Sequence, residues 1–216
     1  MNLVSYKNDI NLKNLLIEEV KNHRKMDMIV KGSYGKPNNP EEGFCAIGCS
    51  IHSLNIKLYK NYKTDDYSVY EKELGIPEWL ARLEDTIFEN LPYNKEMKWP
   101  EQFLSAIPVG VNLEPVKWKF CSYLMNENIK RVEKLKIDDS LKKQVLDAIK
   151  QIKSVHDIAI KTGVWDGAES ATRSAESAAW SAARSAAWSA ESAARSAESA
   201  MEKYSKELLK LLQEQK

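Results

Sequence analysis

The sequence has little of several features that mark particular classes of protein. Only three cysteines occur among 216 residues, so the disulfide framework that staples small secreted proteins is excluded. No apolar run approaches the roughly 20 residues that a membrane-spanning helix needs, and the first residues lack the layout of a signal peptide. We therefore expect a cytoplasmic protein with no membrane partner.

An excess of charge of one sign is also lacking. The chain has 32 Lys and Arg residues against 31 Asp and Glu residues, for a formal net charge of +1. Nucleic-acid-binding surfaces neutralise phosphates with clustered basic side chains, so this balance disfavours nucleic acid as the main partner. Hydrophobic residues make up 43% of the chain, which suits one large domain or a domain with an appendage.

The segment Ala168–Ala200 has an unusual composition, because 14 Ala and 9 Ser fill 23 of its 33 positions. Its serines recur on average about every 3.6 residues, the period of an α-helix. Arg173, Arg184 and Arg195 recur every 11 residues, a period that keeps a helix nearly straight. An apolar stripe then continues to near Gln213. The pattern predicts a helical globular domain over residues 1–165 and a long Ala/Ser-rich helix over residues 166–216.

This predicted helix has one wide face of small side chains and one bulky stripe. Small residues let helix backbones approach closely, so we expect the helix to pack against other helices and to make the protein a homo-oligomer. On the bulky stripe, Trp180, Arg184 and Trp188 are spaced for cation–π stacking and are candidate ligand-binding residues.

Residues 1–165 have mainly helical periodicity, and the predicted fold class is mainly α. The strand signals are limited to Met28–Val30 and Val109–Val111, and each is too short to found a sheet. The apolar patterns predict helices around Leu12–Val20, from near Pro77 to before Pro92, from Pro115 through Leu124, and from near Asp139 to Gly163.

The loop that begins at Lys31 contains glycines beside lysines. Backbone N–H groups and a cation in such a loop can bind a phosphate, so Lys31, Tyr34 and Lys36 are candidate ligand-binding residues. The spacing in GSYGK differs from that of a Walker loop, and an ordinary surface turn is the alternative.

The next segment, GFCAIGCSIHS, would place Cys45, Cys49 and His52 along one face of a helix. These residues are a third candidate ligand-binding group. A zinc site would need a fourth ligand such as His23 or Cys121, but the usual short cysteine knuckle is absent. Neither a metal nor a cofactor is assigned from the sequence.

Two further interpretations of this segment stay open. A catalytic thiol paired with His52 would need a lowered pKa and an orienting carboxylate, for which Asp85 is a candidate. Alternatively, both cysteines are small buried apolar residues and His52 is a hydrogen-bonded residue beside Phe44.

Three acidic residues, Glu84, Asp85 and Glu89, lie on the helix predicted after Pro77. Asp85 and Glu89 share a face at i,i+4, as an acid pair or a metal site would require. Outward-facing positions on an amphipathic helix are the favoured interpretation of these charges.

Three longer segments carry a resemblance: CAIGCSIH, GIPEWLARLEDTIFENLP and WPEQFLSAIPVGVNLEPV. Together with the Ala-rich tail, they resemble a family of bacteriophage and prophage proteins, although the tail is richer in Ser here. The resemblance implies an accessory protein acting in the host cytoplasm on a host protein or on a small-molecule signal of host defence.

Three functions follow as hypotheses. The first is a non-catalytic oligomer that binds and sequesters a nucleotide-like defence signal. The second is a scaffold or inhibitor that grips a host protein through the Ala/Ser-rich helix. The third is an enzyme that depends on Cys45, Cys49 and His52.

Overall fold

A computed structural model describes residues 3–35, 43–163 and 193–216. These residues are mainly α-helical, and no named strand occurs among them, which confirms the predicted fold class. Within these ranges, no helix combines the length and the apolar character that crossing a bilayer requires. The helices are α1 (Ile10–Lys25), α2 (Ala46–Lys57), α3 (Glu78–Asn90), α4 (Trp99–Ala106), α5 (Glu114–Lys134), α6 (Asp139–Thr162) and α7 (Ala193–Gln213).

The helix ends follow from local chemistry. The side chain of Asp9 accepts a hydrogen bond from the Asn11 amide at 2.8 Å and caps α1, and Asp138 caps α6 through the Leu141 amide at 3.0 Å. Gly163 ends α6 with a φ of +69°, a left-handed conformation that glycine adopts without steric cost. The predicted end of this helix is therefore confirmed.

The two short extended pieces do not become strands. Ile29 and Phe44 form one isolated parallel bridge, in which the Val30 amide donates to the Phe44 carbonyl at 2.9 Å. Val111 instead pairs with Ser5 near the amino terminus, where the Ser5 amide donates to the Val111 carbonyl at 3.0 Å.

Contacts divide the chain into two compact units, one formed by residues 1–114 with 197–216 and one by residues 115–196. In the first unit, α1 packs against α2 and α4, and α2 also packs against α3. The largest fully buried side chains of this unit include Leu16, Phe44, Ile51, Leu54, Tyr70, Phe88, Trp99 and Phe103.

The carboxy-terminal helix α7 contributes to the first unit. Leu208 and Leu212 are fully buried, and Ala200 at the end of the Ala/Ser-rich segment is also buried. The predicted apolar stripe is thus an inward face that ends at Gln213. Lys36, Trp180, Arg184, Trp188, the predicted boundary near residue 165 and most of the Ala/Ser-rich segment lie outside the described residues.

In the second unit, α5 and α6 are joined by polar and aromatic contacts. The Ser122 hydroxyl of α5 donates to Asp157 Oδ1 of α6 at 2.6 Å. Lys153, one turn before Asp157 on α6, forms an ion pair with the same carboxylate at 2.5 Å. The rings of Trp118 and His156 stack with their centroids 6.4 Å apart.

Ser5 holds the amino-terminal segment to the loop before α5, and its side chain is fully buried. Its hydroxyl donates to the Pro108 carbonyl at 2.6 Å and accepts from the Val111 amide at 3.0 Å. Ser5→Ala removes the partner of the buried Val111 amide and of the part-buried Pro108 carbonyl, so we expect it to lower the free energy of unfolding by about 1–3 kcal/mol, measured by urea denaturation. Ser105→Ala, at an exposed position on α4, is the matched control and should change stability by less than about 0.5 kcal/mol. Equal effects of the two substitutions would contradict this role of Ser5.

Candidate functional site

The loop predicted to bind phosphate is joined to the end of α3. The Gly32 amide donates to both carboxylate oxygens of Glu89, at 3.0 and 2.9 Å. The Lys31 ammonium donates to the carbonyl of Leu91, the residue that caps the carboxyl end of α3. The Gly32 amide and the Lys31 ammonium of this loop therefore form hydrogen bonds within the protein. The Gly32 amide, one of the loop's backbone donors, is thus hydrogen-bonded to a carboxylate.

The two cysteines of the third predicted ligand-binding group are deeply buried. Cys45 is the residue before α2 rather than part of it, and its Sγ caps the helix by accepting from the Gly48 amide at 3.5 Å. Cys49 lies on the first turns of α2, and its thiol donates to the Phe44 carbonyl at 3.6 Å. Burial raises the pKa of both thiols, with nearby carboxylates adding to the effect. Neither thiol has the lowered pKa that an activated nucleophile requires.

His52 is paired with His23. Its Nδ1 lies 2.9 Å from Nε2 of His23, whose own Nδ1 lies 2.8 Å from the Glu19 carbonyl. A carbonyl only accepts, so His23 Nδ1 donates to it, and in the neutral pair His52 Nδ1 donates to His23 Nε2. The His52 ring also stacks on Phe44, with centroids 4.4 Å apart. This arrangement matches the packing interpretation of the segment.

The outward-facing interpretation of Glu84 and Asp85 is wrong. Glu84 is fully buried and Asp85 is 6% exposed. Burial raises the pKa of Glu84 well above its ordinary value, although the neighbouring Tyr70 hydroxyl opposes part of the rise. Neither carboxyl oxygen of Glu84 reaches a partner with hydrogen-bond geometry. The side chain is therefore accommodated as a neutral acid, because an isolated buried carboxylate is far more costly.

Asp85 is held by two tyrosine hydroxyls. Its Oδ2 accepts from Tyr67 at 2.6 Å and from Tyr34 at 3.2 Å, and the two hydroxyls lie 2.8 Å apart. The guanidinium of Arg82 lies over the Tyr67 ring at 4.4 Å from its centroid. Tyr34, which the sequence selected as a ligand residue, thus contacts the acidic helix.

These residues form a group that we name the carboxylate cluster: Cys45, Asp85, Glu89, Tyr34 and Tyr67. Sγ of Cys45 and one carboxylate oxygen from each of Asp85 and Glu89 lie within 4.8 Å of one another. In the part of the chain that the structure describes, this is the group with the ligand atoms to hold a metal ion.

A second candidate site lies elsewhere in the first unit, between α7 and the segment around α4. It is a cavity of about 520 Å³ with three exposed lysines, Lys95, Lys98 and Lys206, and one acid, Glu202, in its wall. We name it the lysine pocket. Its other lining residues are Leu91, Asn94, Trp99, Gln102, Ser205 and Leu209.

The three lysines have no acidic partner among the described residues. Sequence analysis missed this site. Lys95 and Lys98 are three residues apart, which is a local signal, but Lys206 comes more than 100 residues later. Only the packing of α7 brings it to the other two.

The chain matches no family model, and searches of curated proteins and of solved structures gave no significant match. The resemblance to phage proteins therefore stays a prediction.

The buried acid Glu84 generates a test based on pH. A carboxyl with a raised pKa keeps its proton in the folded state, whereas in the unfolded chain it ionises above about pH 4.3. Its contribution to stability is thus present at low pH and is lost as pH rises, at up to roughly 1.4 kcal/mol per pH unit. We expect Glu84→Gln to become more stable relative to the parent by roughly 1–3 kcal/mol between about pH 5 and about pH 7, measured by urea denaturation. A difference that stays constant over this range would show that Glu84 is ionised in the folded protein.

Proposed function

We propose that this protein is a non-catalytic binding protein that captures a phosphorylated, nucleotide-like small molecule in the lysine pocket. The observation that carries the proposal is the convergence of Lys95, Lys98 and Lys206 on one cavity without acidic partners among the described residues.

The charge of the pocket favours an anion. Three ammonium groups outnumber the single carboxylate of Glu202 in its wall, which leaves a local excess of positive charge. The net charge of the whole chain is only +1, so this excess is a local feature. Lysine binds phosphate as a mobile point charge, and like-signed charges around a cavity raise the local concentration of an oppositely charged ligand.

The size and the remaining lining suit a small organic phosphate. The volume of about 520 Å³ falls within the range of small-molecule sites. Leu91, Trp99 and Leu209 supply apolar wall, and the amides of Asn94 and Gln102 can donate to and accept from a base or a sugar. An apolar cavity with a few polar groups that fix orientation is the usual composition of a ligand site.

The geometry of the cysteine and histidine residues supports binding without turnover. Both thiols of Cys45 and Cys49 are buried with raised pKa values, and His52 is hydrogen-bonded to His23. The predicted catalytic trio therefore lacks an activated nucleophile.

The resemblance to phage proteins suggests the biological role of this binding. A protein of this kind would bind a nucleotide signal of host defence in the host cytoplasm and keep it from its receptor. Assembly into a homo-oligomer through the Ala/Ser-rich segment belongs to the same proposal. Gripping a host protein through that segment is the alternative.

Binding should depend on the phosphate and on the lysines. We expect AMP, ATP or a cyclic dinucleotide to raise the melting temperature of the protein, and adenosine, which lacks phosphate, to leave it unchanged. Lys98→Gln and Lys206→Gln should each lower the affinity for the nucleotide about tenfold, measured by isothermal titration calorimetry, which corresponds to ~1.4 kcal/mol. The bound nucleotide should be recovered intact after denaturation.

The matched control is Lys150→Gln, which removes one positive charge from an exposed position on α6 in the second unit. It should leave the affinity unchanged apart from a small effect of net charge. Equal weakening by Lys150→Gln and Lys206→Gln would place binding outside the pocket, and recovery of a cleaved nucleotide would show that the protein is an enzyme.

A further inference from the structure

The carboxylate cluster brings three metal-ligand atoms together on rigid elements. Cys45 is fixed at the amino-terminal cap of α2, and Asp85 and Glu89 lie on successive turns of α3. Their sulfur and carboxylate oxygens lie within 4.8 Å of one another. Helices α2 and α3 pack directly against each other, so the spacing is set by the core of the first unit.

An oxygen of Asp85 lacks the partner that its burial demands. Oδ2 accepts from the hydroxyls of Tyr67 and Tyr34. Oδ1 is buried with no hydrogen-bond partner, in a residue that is only 6% exposed. Buried polar atoms are nearly always paired, so an unpaired oxygen on the carboxylate that Asp85 contributes to this group points to a missing ligand.

We propose that Cys45, Asp85 and Glu89 are three ligands of a divalent-cation site, and that zinc is the ion that these donors suit. Magnesium and calcium prefer sites made wholly of oxygen. Zinc accepts thiolate sulfur together with carboxylate oxygen in a tetrahedral arrangement. Three protein ligands leave the fourth position to water or to an external ligand.

The surrounding contacts match those of a metal's outer shell. Ligating carboxylates are commonly oriented by further hydrogen bonds. Here the tyrosine hydroxyls orient Asp85, and the Gly32 amide orients Glu89. Zinc distances of about 2.3 Å to sulfur and about 2.0–2.2 Å to oxygen require the three donors to approach slightly on binding.

Charge and protons balance without a further reactant. A thiolate and two carboxylates carry three negative charges, which zinc reduces to one. Burial raises the pKa of Glu89, and the Gly32 amide and the nearby Lys31 ammonium oppose part of this rise. Binding releases the Cys45 proton to solvent, so affinity should fall as pH falls.

This site differs from the zinc site considered from the sequence. Of the trio Cys45, Cys49 and His52, only Cys45 is a ligand here. The Cys49 thiol donates to the Phe44 carbonyl, and His52 is hydrogen-bonded to His23. The two acidic ligands come from α3.

Cobalt(II) tests the proposal, because a cobalt–thiolate bond gives a charge-transfer absorption in the near ultraviolet. We expect full-length protein treated with EDTA to take up one equivalent of Co²⁺ with this absorption, and Zn²⁺ to displace it. Cys45→Ser should abolish the absorption and weaken Zn²⁺ binding by at least about tenfold. Serine is a favourable helix cap, so this variant should keep α2 intact.

Cys121→Ser is the matched control, because Cys121 is a half-buried free cysteine of the second unit. It should keep both the absorption and the affinity. Glu89→Gln retains an acceptor for the Gly32 amide and should weaken Zn²⁺ binding at least about tenfold, which tests the site independently of cysteine. Circular dichroism confirms that each variant is folded.

The proposal is overturned if the parent shows no cobalt–thiolate absorption, or if Cys45→Ser or Glu89→Gln binds Zn²⁺ as tightly as the parent. Nucleotide binding is measured separately in EDTA, so failure of the metal site would leave the proposed function of the lysine pocket standing.

Discussion

Helix α3 buries two acidic side chains, Glu84 and Asp85, inside the first unit. The rest of this part of the structure is arranged around the cost of burying them. Glu84 is accommodated because burial favours its neutral form. Asp85 is held by tyrosine hydroxyls, and Glu89 binds the backbone of Gly32. The indole of Trp99 donates to the Glu84 carbonyl at 3.0 Å, so α3 links the carboxylate cluster to the wall of the lysine pocket.

The two sites have opposite charge although they belong to one compact unit. The carboxylate cluster contains two acidic side chains, Asp85 and Glu89, whereas the lysine pocket contains three lysines and one acid. A chain with nearly equal numbers of acidic and basic residues can thus contain separate places for a cation and an anion. The overall charge balance disfavoured nucleic acid as the main partner but gave no information about these local separations of charge.

Helices were predictable because their signals act over a few residues. Apolar periodicity and end signals such as Gly163 predicted α1, α3, α5 and α6. The burial of Asp85 was not predictable in this way, because charges on an amphipathic helix usually face solvent. Its partner Tyr67 is 18 residues away, and the partner of Gly32 is 57 residues away. Such pairings depend on tertiary packing, for which one sequence carries no local signal.

The walls of the lysine pocket come from distant parts of the chain. Lys95 and Lys98 precede α4, whereas Lys206 lies on α7. During synthesis on the ribosome, the first wall therefore emerges long before the second. A nascent chain that has already folded α1–α4 still has no complete pocket, so the protein acquires its cationic cavity only when α7 is released and docks.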